Sequence, residues 1–288
     1  MKLFSTLGFF WDVASMPQTI PTNPPEAVLF RFKSNIPQIV WNASSLESNP
    51  FTFREVETLV HGTSVGGRKL IDQTQVLNLI EAHRYLLHLV SKHRFLVDKK
   101  TITTIQSFLA QNGPLEHGHF RGEGREHVFT PSFLVGKKMR YSPSATVPGA
   151  IALNRCFFQG VADLENSELN PLVKAMAFFV FIVFRQFFFS ANRRAANLFM
   201  NGILLSHGID AISVPVHRIA DFSGKLERFF QTKDATELML FLVECHPSAV
   251  RISAMNPHVS DAELRPVAMP TLRDIRHSEP LASAWAPI

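Results

Sequence analysis

Apolar residues recur three and four positions apart along most of the chain, the spacing of one face of an α-helix. The stretch 72–93, DQTQVLNLIEAHRYLLHLVSKH, shows the pattern well, and Asp72 is expected to cap its start. The same spacing predicts helices over 51–61, 101–111, 150–164, 193–207, 216–231 and 234–245, with Asn112-Gly113-Pro114 closing the second of these. Residues 171–189 are apolar almost all round, which predicts a central, fully enclosed helix. Its core, AMAFFVFIVF, has 10 residues between Lys174 and Arg185, about half the length that crosses a hydrocarbon layer, so no membrane span is expected.

Elsewhere the periodicity fails. Residues 115–148 are rich in Gly, His, Arg, Ser and Pro, with HVF and SFLVG as candidate short strands, and predict a long loop or hairpin. Residues 16–27 are proline-rich and expected to be extended, followed by a short segment before Asn42. The opening MKLFSTLGFFWDVASM, broken by Asp12, is read as an unstructured lead-in rather than a signal peptide. After His246 the chain loses periodicity, and partial disorder is expected there. The division is then 1–40 as an extension, 41–246 as a helical domain and 247–288 as a tail. No internal repeat is visible.

Composition narrows the function. With 288 residues, 46% of them hydrophobic and 18% charged, the chain can bury a large core. Lys and Arg outnumber Asp and Glu by 29 to 24; the basic residues are scattered, which leaves room for an anionic ligand but not the basic stripe of a nucleic-acid binder. Cys156 and Cys245 could form one bridge, yet their spacing matches no disulfide framework or metal half-site, so a reducing cytoplasm is expected. His117, His119 and His127 cluster without a Cys or carboxylate to complete a metal set. His83, His88 and His93 recur every five residues and share no helix face. Cys156 lies in an apolar segment and reads as an inert thiol, and no GxSxG supports serine catalysis.

The junction FFFSANRRAANLFMNG, 187–202, interrupts the most apolar region with Ser-Ala-Asn-Arg-Arg before helical spacing resumes. Unpaired amides and the positive end of a helix dipole would point into that turn, and Arg193 and Arg194 add two formal charges, so an anion would bind there. The alternative is an ordinary helix start capped by Ser190 or Asn192, with both arginines solvated.

This stretch resembles the signature of the Fic (Fido-fold) family, H-x-F-x-[D/E]-G-N-[G/K]-R-x-x-R. Phe188 matches the Phe, Asn192 the Asn and Arg194 the first Arg, with Arg193 at the [G/K] position. Gln186 stands where that family has His, Ser190 where it has the acid, Ala191 where it has Gly and Asn197 where it has the last Arg. Asn49-Pro50-Phe51, the 72–93 helix, Gly118-His119-Phe120-Arg121 and Leu198-Phe199-Met200-Asn201-Gly202 also resemble Fic segments in order, over residues 40 to 245. The resemblance implies a mainly α-helical Fic core with a small β-hairpin flap in 115–148.

It also implies a division of labour for transfer of AMP from ATP to a protein hydroxyl. The His is general base, the acid holds Mg²⁺, the loop amides and first Arg bind phosphates, and the last Arg binds the terminal phosphates. On these positions Gln186 would be the catalytic residue, Ser190 the metal residue, and Ser190, Ala191, Asn192, Arg193, Arg194 and Asn197 the nucleotide-binding set. A carboxamide is not basic near neutral pH, and a serine oxygen is a poor substitute for the carboxylate that Mg²⁺ prefers, so impaired or absent catalysis is expected. Asn192 and Arg194 remain suited to phosphate. Many Fic proteins carry an inhibitory helix [S/T]-x-x-x-E-[G/N] whose Glu pairs with the last Arg. Ala43-Ser44-Ser45-Leu46-Glu47-Ser48-Asn49 is similar to it and makes Glu47 the regulatory candidate, with Asn197 as its expected partner through a hydrogen bond rather than an ion pair.

Three functions follow from these residues: an impaired adenylyltransferase, a pseudoenzyme that binds nucleotide or a protein partner without chemistry, and a scaffold with no ligand. The implied cofactors are ATP and Mg²⁺. The partners are a nucleotide and a target protein that the sequence does not identify, with a homodimer compatible and neither nucleic acid nor membrane expected.

Overall fold

The structure is a computed structural model and describes residues 2–136 and 139–256, without the side chains of 2–4. Among the described residues are twelve α-helices and one two-stranded sheet. In chain order they are α1 (Lys2–Leu7), α2 (Pro25–Ser34), α3 (Ile36–Leu46), α4 (Phe53–Val60), α5 (Leu70–Ser91), α6 (Lys99–Ala110), β1 (Phe133–Val135), β2 (Met139–Tyr141), α7 (Ile151–Glu165), α8 (Pro171–Arg185), α9 (Asn192–Ser206), α10 (Ile219–Thr232), α11 (Thr236–Glu244) and α12 (Ala249–Met255).

The apolar run of α8 forms the axis of the core. Twelve of its fifteen residues are buried, Leu172 to Ala177 apart from Lys174 and then every position from Phe178 to Phe184. It is apolar on every face because α7, α9 and α11 all pack on it. Burying one such Phe contributes on the order of 1.5–3 kcal/mol. Helix α9 lies along α8 and is sandwiched from the other side by α5 and α6. Gly202 leaves room for the Phe95 ring of the α5–α6 connection, which a Cβ at that position would overlap.

Element starts follow local chemistry. Asn170 caps α8 through its side chain and Pro171 occupies the first turn. Thr52 and Glu55 form a capping box on α4, and Asp98 caps α6. Helix α5 begins two residues before Asp72, with Lys69 at the cap, so Asp72 serves as a first-turn acid rather than as the cap. Of the two candidate strands in 115–148, SFLVG becomes one, as β1, and HVF stays irregular; the partner of β1 is β2, Met139–Tyr141, antiparallel with Phe133 opposite Tyr141.

The amino-terminal segment is not an unstructured lead-in. Leu7, Phe9, Trp11 and Met16 are all buried, and Phe9 packs edge-on against Phe184 and Phe229. Phe10 bridges to the α10–α11 turn, its N–H donating to the Lys233 carbonyl at 3.0 Å and its carbonyl accepting from Ala235 at 2.8 Å. Apolar burial outweighs the weak local helix signal. The 40/41 division falls inside α3, and the segment after His246 continues as α12, tied back by Asn256. Its Oδ1 accepts from the N–H groups of Gln18 and Thr19 at 2.7 and 2.9 Å. The rest of the tail, 257–288, lies outside the described residues.

Candidate functional site

Helix α8 stops at Arg185, four residues short of the predicted end, because Gln186 turns into the left-handed region at φ 51°, ψ 61°. Phe187, Phe188 and Phe189 therefore leave the helix and turn their rings into the core, Phe187 stacking on Phe120 at 4.9 Å. Ala191 is left-handed as well, at φ 59°, ψ 17°, immediately ahead of α9. Each such residue with a Cβ costs about 1–2 kcal/mol, which is why a glycine suits position 191.

Neither Ser190 nor Asn192 caps α9; Ala191 occupies the cap position and makes no side-chain bond. The Asn192 side chain closes the loop instead. Its Oδ1 accepts from the Phe188 N–H at 3.0 Å, and its Nδ2 donates to the Phe188 carbonyl at 2.8 Å and to Gln186 Oε1 at 2.9 Å. Gln186 Nε2 donates in turn to the Val183 carbonyl at 2.6 Å. Both carboxamides thus hold the loop shape, and an anion would meet the amides of the first turn of α9 rather than the Asn192 side chain.

The flap is fastened to this loop. Arg121, fully buried, donates through Nε to the Gln186 carbonyl at 2.7 Å, through Nη1 to Thr146 Oγ1 at 3.0 Å and through Nη2 to Ser144 Oγ at 3.2 Å. Tyr141 on β2 donates to the Phe184 carbonyl at 2.7 Å, and burial pushes its hydroxyl up to about 12. From α6, Gln106 donates to the Ser190 carbonyl at 3.3 Å and accepts from the Gly118 N–H at 2.7 Å.

The two arginines at the start of α9 are not solvated; they face Glu47, which follows α3. Arg193 donates to Glu47 Oε1 through Nη2 at 2.8 Å and Nε at 3.1 Å, and to the Leu46 carbonyl at 2.7 Å. Arg194 Nε lies 4.0 Å from the same carboxylate oxygen, and its N–H has no hydrogen-bond partner although it is buried. Burial raises the Glu47 carboxyl, but the charges of Arg193 and Arg194 outweigh it and hold the group below its ordinary value. Burial likewise lowers Arg194, with Glu47 opposing.

The expected Glu47–Asn197 hydrogen bond is therefore replaced by an ion pair with Arg193. Residues 193 and 197 are four apart on one helix face, so a long guanidinium one turn earlier reaches the carboxylate that the short Asn197 side chain does not. Asn197 instead accepts from Asn201 at 3.3 Å.

Glu47, Arg193, Arg194 and Asn197 enclose a cavity of about 20 Å³ together with His83 of α5. His83 is buried, its Nδ1 bonded to the Leu79 carbonyl at 2.7 Å and its Nε2 without a partner. A ring nitrogen facing a carbonyl must carry the proton, so Nε2 keeps a lone pair without a partner, and the cavity that His83 and Arg194 both line is the size of one water. Sequence reasoning passed over His83; its signal was a histidine in the middle of an apolar helix stripe.

A triphosphate matches this site in charge but not in volume while Glu47 is in place. Magnesium does not match: Ser190 offers a neutral oxygen, Glu47 is engaged by Arg193, and no cluster of three metal-binding side chains occurs among the described residues, His117, His119 and His127 included. Cys156 and Cys245 are both free, with burial raising each thiol, Cys245 to about 12. Among the described residues no single helix is long and apolar enough to cross a membrane.

Neither a protein-family model nor a curated protein matches the chain in sequence. Solved structures do match its fold. A Fic family protein from Desulfovibrio desulfuricans G20 aligns with a TM-score of 0.54 at 16% identity, over 86% of this chain and 76% of its own. Fic-1 from C. elegans aligns at 0.60 and 18% identity, over 89% and 68%. A Fic domain containing signaling protein from Bacteroides thetaiotaomicron VPI-5482 aligns at 0.61 and 16% identity, over 90% and 95%. The architecture is the one these three share.

Proposed function

The chain has the Fic fold, and from that premise we propose that it is a nucleotide-phosphate-binding module whose anion cradle is held shut by Glu47, with AMP transfer to protein hydroxyls impaired or absent. The observation that carries this reading is one carboxylate facing both Arg193 and Arg194 at the start of α9. Hydrogen bonds to charged groups contribute about 1.5–3 kcal/mol each, so a phosphate must displace Glu47 before it gains the same donors. Catalysis lacks its proton acceptor: the Gln186 amide is not basic and is bonded on both its polar atoms, and loss of a general base costs about 10²–10⁴ in rate. Two free, high-pKa thiols agree with action in the cytoplasm.

Calorimetry with ATP tests the cradle. Glu47→Ala is expected to bind ATP at least about ten-fold more tightly than the wild type, and Glu47→Ala with Arg194→Ala to lose that gain. Equal affinity of the single and double variants would overturn the site. The small cavity also favours a second reading, a scaffold with no nucleotide, and that reading prevails if Glu47→Ala gains no ATP binding.

A further inference from the structure

A second and larger cavity, about 310 Å³, lies between α2–α3 on one side and the α9–α10 connection with α11–α12 on the other. It differs from the anion cradle in its lining: α3 turns Gln38, Ile39 and Asn42 to this cavity and Ala43 and Leu46, with Glu47 just beyond its end, to the other, and Ser213 lies at the border of both. At about 30 Å³ per water it holds on the order of ten waters, the size range of small-molecule sites.

Its wall carries no net charge. Arg31 and Asp210 pair bidentately at 2.7 and 3.0 Å. His246 is buried, and its Nδ1 accepts from the Ser248 N–H at 3.0 Å, which leaves the proton on Nε2. That Nε2 makes no hydrogen bond of ordinary geometry. Burial pulls the ring to about 4, offset in part by Asp210, so it is neutral at pH 7. The floor is apolar, with Phe32, Ile39 and Ala249 buried. An ion placed here would lose its hydration without gaining a countercharge.

Three polar side chains of the lining form one hydrogen-bonded chain. Gln38 Nε2 donates to Asn42 Oδ1 at 3.0 Å, and Asn42 Nδ2 donates to Ser213 Oγ at 3.0 Å. The Asn42 carboxamide thus bridges Gln38 and Ser213. Among the described residues Gln38 Oε1 accepts no hydrogen bond and the Ser213 hydroxyl donates none. A second amide lying beside that of Asn42 would span the same two residues, giving its N–H to Gln38 Oε1 and accepting the Ser213 O–H on its carbonyl.

We infer that this cavity is a binding site for an uncharged, mostly apolar small molecule bearing an amide-like edge, one N–H next to one carbonyl. The probe pair is 2-quinolone and N-methyl-2-quinolone, which share a ring system and carbonyl and differ in the N–H. Titration of the full-length protein by ligand-observed NMR is expected to show 2-quinolone binding about five- to ten-fold more tightly than its N-methyl form. Gln38→Leu should erase that ratio, whereas Ser213→Ala should weaken both probes by a similar factor and preserve it. Absence of saturable binding of either probe to the wild type, or a ratio that survives Gln38→Leu, would overturn the assignment.

Discussion

Acid should unfold this protein through two histidines rather than through its carboxylates alone. His83 and His246 are 1% and 3% exposed, and burial holds each near pKa 4 against an ordinary 6.5. The folded value is depressed, so the unfolded chain binds protons between pH 6.5 and 4 that the folded chain refuses. Stability therefore rises with pH across that window and falls on acidification. From pH 7 to pH 5 each ring costs about 2 kcal/mol, about 4 kcal/mol together, a large share of the ~5–15 kcal/mol that a domain has. Urea unfolding followed by circular dichroism at pH 7, 6 and 5 measures the slope. His83→Leu and His246→Leu should each flatten it by about half, whatever each does to stability at pH 7. Imidazole NMR titrations of the folded protein with midpoints near 6.5, or an unchanged slope in both variants, would refute the reasoning.

Ala191→Gly should relieve the left-handed strain at φ 59° and stabilise by about 0.5–1 kcal/mol, read as a rise in melting temperature. Arg121→Met removes three hydrogen bonds, one to the Gln186 carbonyl and two to Thr146 and Ser144 of the flap segment. It should cost about 3 kcal/mol and raise amide exchange in 130–146 before the rest of the domain, as seen by mass spectrometry. Gln186→His with Ser190→Asp should yield self-modification with labelled ATP only when Glu47→Ala is also present; labelling by the triple variant no stronger than wild type would count against the role assignments.

The helices were legible because their apolar stripes are long and their ends carry Asn-Gly-Pro or capping residues, as at 101–114. Places where tertiary contacts override local chemistry were not. The end of α8 at Arg185 depends on an Asn192 side chain that pulls Phe188 out of the helix, a contact with no periodic signature. The single strand SFLVG was visible, but Met139–Tyr141 was not, since three residues give too short an alternation. The break between two apolar helices was expected at 190–192, whereas it runs from 186 to 191, and the partner of Glu47 was missed because motif position pointed to Asn197 where side-chain length favours Arg193. Burial of 7–16 comes from rings on α8 and α10, far away in the chain.

That burial has a temporal side. The hydrogen bond from Asp12 to Thr236 spans 224 positions, so the loop it closes takes in nearly the whole described domain and cannot close early. During synthesis at about 5–20 residues per second, Phe9 and Trp11 must wait roughly 10–45 s for their partners to be made. Throughout that interval the growing chain displays an unpartnered aromatic hook, a handle for chaperones and a hazard for neighbouring chains, which is withdrawn only when the α10–α11 turn arrives.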